Sequence, residues 1–211
     1  EGAYERGRQI WEFQRWIHLP SELSMEQWAI DRPWLADLTV TYYATLHVPT
    51  LLVFLVWLWI RHQDQFPRWR NVLALTTGFC LFIRFVRVAP PRLLPELGFV
   101  DLPAELGRDI YGPVGTGASD QFAAMPSLHF GWSTWCAITM VMVIGTGWKR
   151  WLWFAYPTVT LFTILVTGNH YWIDALFGAV VLAGGWIIAV GADHLSAWWR
   201  SRRSGASAAP A

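Results

Sequence analysis

Two short stretches of this 211-residue chain put chemically capable side chains at helical spacing. In "TGNHYWIDALFG", residues 167–178, Asp174 follows His170 by four, so both lie on one face of a helix. A carboxylate there can accept the proton of one imidazole nitrogen. That fixes the tautomer and leaves the other nitrogen as nucleophile or base, the logic of the His–Asp half of a hydrolytic triad. In "AAMPSLHFGWS", residues 123–133, Pro126 and Ser127 suit the first turn of a helix. Backbone amides at such a terminus, with the helix dipole, favour an anion. Phosphate is the natural anion, because Arg84, Arg87 and Arg92 of "RFVRVAPPR" are at hand to clamp it.

The composition says what must position these groups. Apolar residues make up 54% of the chain and charged residues 15%, with 16 Trp and a net charge of +1. So few charges on so apolar a chain exclude disorder and a free nucleic-acid binder; Cys80 and Cys136 sit in apolar runs and suggest no disulfide framework. A span needs about 20 apolar residues, and five segments qualify: 38–60, 71–88, 127–145, 151–168 and 171–190. The expected fold is an all-α, polytopic membrane bundle of about five transmembrane helices, with an amphipathic interfacial helix at the amino end. There Ile10, Phe13 and Ile17 share one face and Arg8, Glu12 and Arg15 the other; a surface helix resting on the bundle is the equal alternative. Antiparallel packing of the third and fourth spans returns His170 to the level of His129, and the end of the second brings its arginines there.

Lys and Arg in short connections set the orientation. Arg61, Arg68 and Arg70, then Lys149 and Arg150, then Arg200, Arg202 and Arg203 fall on one side if the spans alternate. That side is expected to be cytoplasmic, bordered by a belt of Trp57, Trp59, Trp69, Trp148, Trp151, Trp153, Trp198 and Trp199. The 89–126 connection carries Glu96, Asp101, Glu105, Asp109 and Asp120 and fits the outside. The division is therefore 1–37 as an extracytoplasmic segment, 38–195 as the catalytic membrane domain and 196–211 as a basic, disordered cytoplasmic tail. The chain does not begin with Met, and an upstream span or signal is expected.

"PSLH" followed about 40 residues later by "GNHYWID" resembles the type 2 phosphatidic acid phosphatase superfamily. The "HYxxD" form is closer to its inositol phosphorylceramide synthase-like branch. The resemblance implies that His170 attacks phosphorus, that Asp174 orients it, and that His129 protonates the leaving oxygen and then activates the acceptor. Ser127, Asn169 and the arginines would hold phosphate, with no metal and no cofactor. Two departures stand out. The superfamily has an Arg six residues before the nucleophilic His, where this chain has Ile164, and "RFVRVAPPR" replaces the usual Lys-to-Arg-Pro element. The implied substrate is a phospholipid or lipid-linked phosphate in the bilayer, and the implied acceptor is water or an alcohol such as inositol or a lipid hydroxyl.

His47, ten residues into the first span, is a functional candidate by its depth, whereas His18, His62 and His194 read as incidental. Two other classes use the same histidines. A bis-histidine haem protein would take His47, His129 and His170 as ligands and show a Soret band. A metal-dependent membrane hydrolase would take His129, His170 and Asp174 and lose activity with chelator. A non-catalytic scaffold would tolerate His170→Ala.

Overall fold

The computed structural model describes residues 2–108, 121–122 and 124–206. Asp109, Asp120 and the end of the tail lie outside them. Among the described residues the chain is helical, without strands.

α1 (Gly2–Trp16) lies on the rest of the molecule. It does not bury the whole expected apolar face. Ile10 packs inward with Trp11 against Val88, Ala89, Leu94 and Tyr171, while Phe13, Trp16 and Ile17 stay exposed. The buried positions are Gly7 and Gln14, because close approach and polar partners decide this contact. A Cβ on residue 7 would lie 2.6 Å from the Ala89 carbonyl oxygen and 2.9 Å from the Tyr171 hydroxyl. α2 (Glu22–Ile30), not foreseen in the sequence, starts at Ser21, whose hydroxyl caps the Ser24 amide at 3.4 Å.

The first expected span begins five residues early. α3 (Pro33–Thr41) opens on Pro33, a residue suited to the first helical position. It passes through a π-helical turn, Tyr42–Leu46, into α4 (His47–Arg61). Pro49 explains the wide turn: it offers no N–H to the Thr45 carbonyl and its ring crowds that oxygen. α5 (Phe66–Ile83) is shifted from the expected 71–88. Pro67 favours the earlier start, and Pro90 disfavours helix just before it. Arg68 and Arg70 therefore belong to the helix, and Arg87 falls beyond its end. Trp69, expected in an interfacial belt, is 4% exposed in the core.

Two 3₁₀ turns, Pro91–Leu93 and Pro95–Leu97, lead to the short α6 (Leu102–Glu105). α7 (Leu128–Val143) and α8 (Ala155–Val166) form the expected hairpin around a 3₁₀ stretch, Trp148–Phe154. α9 (Trp172–Ala206) runs well past residue 195, where a disordered tail was expected. Ala and Arg favour helix there, and Arg202 stacks over Trp198 at 4.1 Å.

Among the described residues, two helices are long and apolar enough to cross a bilayer, Pro33–Arg61 and Trp172–Arg202; Leu128–Val143 is apolar but shorter. Their outward residues suit lipid: Leu52, Val53, Val56 and Ile60 on α4, and Leu176, Val180, Ile187 and Ile188 on α9, are exposed. Inside, Leu58, Trp69, Val72, Trp135 and Leu182 form an apolar core between α4, α5, α7 and α9. The Trp135 indole N–H finds the Trp69 carbonyl at 3.1 Å, the partner a buried indole needs.

Candidate active site

The start of α7, the end of α8 and the start of α9 meet at one end of this core. Gly168 makes the meeting possible. It turns the chain out of α8 with φ +61, and a Cβ there would lie 2.8 Å from a Glu26 carboxylate oxygen and 3.2 Å from the Arg92 amide nitrogen. The Ile164 carbonyl accepts the Asn169 and His170 amides, both at 3.1 Å. Ile164 is fully buried and holds the turn through its backbone, at the position where the motif this segment resembles has an Arg. α7 is pinned to α9 by the Ser127 amide donating to the Asp174 carbonyl at 3.0 Å. At Gly178 a Cβ would come within 2.5 Å of the Ser127 carbonyl oxygen.

The His170 ring is set by two acceptors. Nδ1 lies 2.7 Å from the Ala124 carbonyl oxygen and 3.4 Å from Asp174 Oδ2. A carbonyl only accepts, so Nδ1 carries the proton and the lone pair is on Nε2. The expected proton acceptor was Asp174 itself. Its Oδ2 is instead drawn to the Tyr171 amide at 2.9 Å, which leaves the carboxylate as a close charge partner and the backbone carbonyl as the direct acceptor. Asp174 is fully buried, and its Oδ1 has no hydrogen-bond partner among the described residues. Such a group can receive or balance positive charge forming on the imidazole.

His170, His129, Asn169, Arg84 and Tyr43 line a cleft of about 230 Å³. The His129 and His170 ring centroids are 5.6 Å apart. Tyr43 stacks on His129 at 4.5 Å, and His47 packs against His129 at 4.7 Å. His47 is 1% exposed and meets the Tyr156 hydroxyl through Nδ1 at 3.1 Å. Tyr43 lies in the π-helical turn and His47 follows it by four as the first residue of α4, so one helix face presents both rings. His47 carried that signal in its depth; Tyr43 went unremarked.

Three residues expected to hold phosphate are not among those lining the cleft. Ser127 is fully buried, and its hydroxyl caps α7 by accepting the Phe130 amide at 3.3 Å. Arg87 is exposed, and its carbonyl accepts from Arg6 Nε at 2.7 Å. Arg92 is 3% exposed and bonds Asn169 Oδ1 at 3.0 Å through Nε and Asp101 Oδ2 at 2.7 Å through Nη1. It braces the residue next to His170 instead of lining the cleft. Arg84 lines the cleft, as do Leu128 and His129 of the first α7 turn, whose leading amides have no partner within the helix.

An outer layer of buried acids surrounds the turn. Glu26 Oε2 accepts the Val100 amide at 3.1 Å, and burial pushes its carboxyl up to about 7, helped by nearby Asp101. Glu22, fully buried, is likewise raised by burial. Among the described residues no group of three or more His, Cys, Asp or Glu side chains is arranged to hold a metal ion.

Comparison with protein families matches residues 8–188 to the PAP2 superfamily. No curated protein and no solved structure gives a significant match.

Proposed function

Because the chain belongs to the PAP2 superfamily, a family of phosphatase-type enzymes acting on lipid phosphoesters in membranes, we propose that it transfers a phosphoryl group through a phosphohistidine on His170. The observation that carries this reading is the His170 ring, whose Nδ1–H is held by the Ala124 carbonyl at 2.7 Å with Asp174 behind it. Membership also removes the readings that set the chain outside this family, the haem protein among them.

Nε2 attacks phosphorus, the bond from phosphorus to the leaving oxygen breaks, and His129 gives that oxygen a proton. The acceptor's O–H then loses its proton to His129 while its oxygen displaces Nε2, which restores both rings. Asp174 balances the charge on His170 in the intermediate. Arg84 and the first amides of α7 neutralise phosphate oxygens, and Arg92 positions Asn169. With water as acceptor the product is free phosphate. The "PSLH" and "HYWID" pair favours the inositol phosphorylceramide synthase-like branch, and so an alcohol acceptor such as inositol or a lipid hydroxyl. If a phosphodiester is the donor, the group carried on His170 is the headgroup phosphate.

The chain crosses the membrane several times in this reading, five if α5, α7 and α8 span as well. The cleft opens at the extracytoplasmic headgroup level, and the arginines of the 61–70, 149–150 and 200–203 segments face the cytoplasm. A product assay with labelled phospholipids, with and without candidate alcohols, tests the reaction. Labelled phosphate or a labelled phosphoalcohol is the expected product, resistant to chelator and inhibited by vanadate. No release at all, or release abolished by EDTA, contradicts it.

A further inference from the structure

Taking His170 as the reacting group of the proposed function, we propose that Gln14 and Glu22 are positioning residues of the active site, which cap the amino end of α9 and so hold the His170–Asp174 turn. The first amides of a helix lack partners within it. At this one Tyr171 has no short polar side chain to serve them. Asp174 reaches back to the Tyr171 amide at 2.9 Å, as the third helical residue of a capping box does. The next two amides are served from far away in the chain. Trp172 donates to Glu22 Oε1 at 3.3 Å and Ile173 to Gln14 Oε1 at 3.0 Å.

The two capping side chains fix each other. Gln14 Nε2 donates to Glu22 Oε1 at 2.7 Å, so the Gln14 amide uses both ends and Glu22 Oε1 takes two donors. Both residues are fully buried. Arg15 anchors the pair from outside, 3.4 Å from Glu22 Oε2 and 2.8 Å from the Pro20 carbonyl. That carbonyl also takes the Trp172 indole N–H at 3.0 Å. The Asp174 carboxylate belongs to this cap and to the His170 pair at once, so fraying of the first α9 turn moves it relative to Nδ1. The segment ahead of the first long helix is therefore part of the active site's support, though it lines no part of the cleft.

The test compares full-length Gln14→Leu, Glu22→Leu and Glu22→Gln in detergent, by hydrogen–deuterium exchange and by turnover of the labelled phosphoester. In both Leu variants, amide exchange at 172–173 is expected to rise, with α5 and α7 unchanged. Misplacement of reacting groups by about 1 Å costs on the order of 10²-fold in rate, so kcat should fall by about that factor while KM holds. Glu22→Gln keeps an oxygen for the Trp172 amide and should recover most of the loss; its pH profile should match the wild type. Where a Leu variant fails to fold, Gln14→Asn withdraws the acceptor with less disturbance and is read the same way. Unchanged exchange at 172–173, or raised exchange with unchanged kcat, overturns the proposal. If the wild type itself turns over no phosphoester, the enzymatic reading fails, and exchange at 172–173 still decides whether the cap exists.

Discussion

The two ends of the bundle are built on opposite terms. Around Trp135, Leu58 and Trp69 the interior is apolar, and the one buried indole N–H shown there is bonded to a carbonyl. Around His170 the interior holds Gln14, Glu22, Glu26, Arg92, Asn169 and Asp174, each under 4% exposed. Burying so many polar groups is costly unless they are hydrogen-bonded, and here most of the bonds, such as Gln14 to Glu22, Arg92 to Asn169 and Glu26 to the Val100 amide, join separate segments. The apolar end supplies stability that tolerates approximate packing. The polar end supplies position, and small displacements there should cost rate before they cost fold.

Substitutions at the two ends should separate these roles. The largest effect is expected from His170→Ala at the polar end: turnover lost by on the order of 10⁴-fold or more in the folded fraction, as when a nucleophile is removed from a catalytic constellation. His129→Ala should cost about 10²–10⁴-fold, the range of general acid–base catalysis, and less for substrates with good leaving groups. Steady-state rates on donors with graded leaving groups check this; equal losses on all donors would remove His129 from the protonation step. At the apolar end, Trp135→Ala should cost about 3–5 kcal/mol of stability while the folded fraction keeps its kcat. A kcat loss matching that of His129→Ala would erase the contrast.

The smallest effect tests the outer acids. Burial raises the Glu26 carboxyl from 4.5 to about 7, so between these values the folded state holds a proton that the unfolded chain has released. Stability from this group is then full below pH 4.5, declines as pH rises to about 7 and is level above. Glu26→Gln should flatten that decline and raise the melting temperature above pH 7 by roughly 3 °C, the scale of 1 kcal/mol in a chain this size. Melting curves across pH check it, and parallel curves for both proteins would contradict the assignment.

Much of this was legible in the sequence, and the misses have physical reasons. The "PSLH" and "HYWID" segments do meet, because a helical hairpin of matched arms returns its ends to one level. The helix limits erred at prolines: Pro33 and Pro67 start helices earlier than the apolar runs suggest. The acceptor on His170 Nδ1 was invisible, because it is a backbone carbonyl and any residue at 124 could supply it. Ser127, Arg87 and Arg92 have the right side chains in the right segments. Capping and ion pairing claimed Ser127 and Arg92, and the end of α5 released Arg87. Gln14 and Glu22 left no signal at all, since side chains that bond amides 150 and 159 residues away follow no local spacing.

A covalent phosphoryl group on His170 can be trapped. The enzyme is mixed with radiolabelled lipid phosphoester, quenched in alkali during turnover, digested and mapped. An alkali-stable, acid-labile label is expected on the peptide containing His170, more of it in His129→Ala when the leaving group is good, and none in His170→Ala. Undiminished turnover in His170→Ala, or a label that maps to another residue, would contradict it.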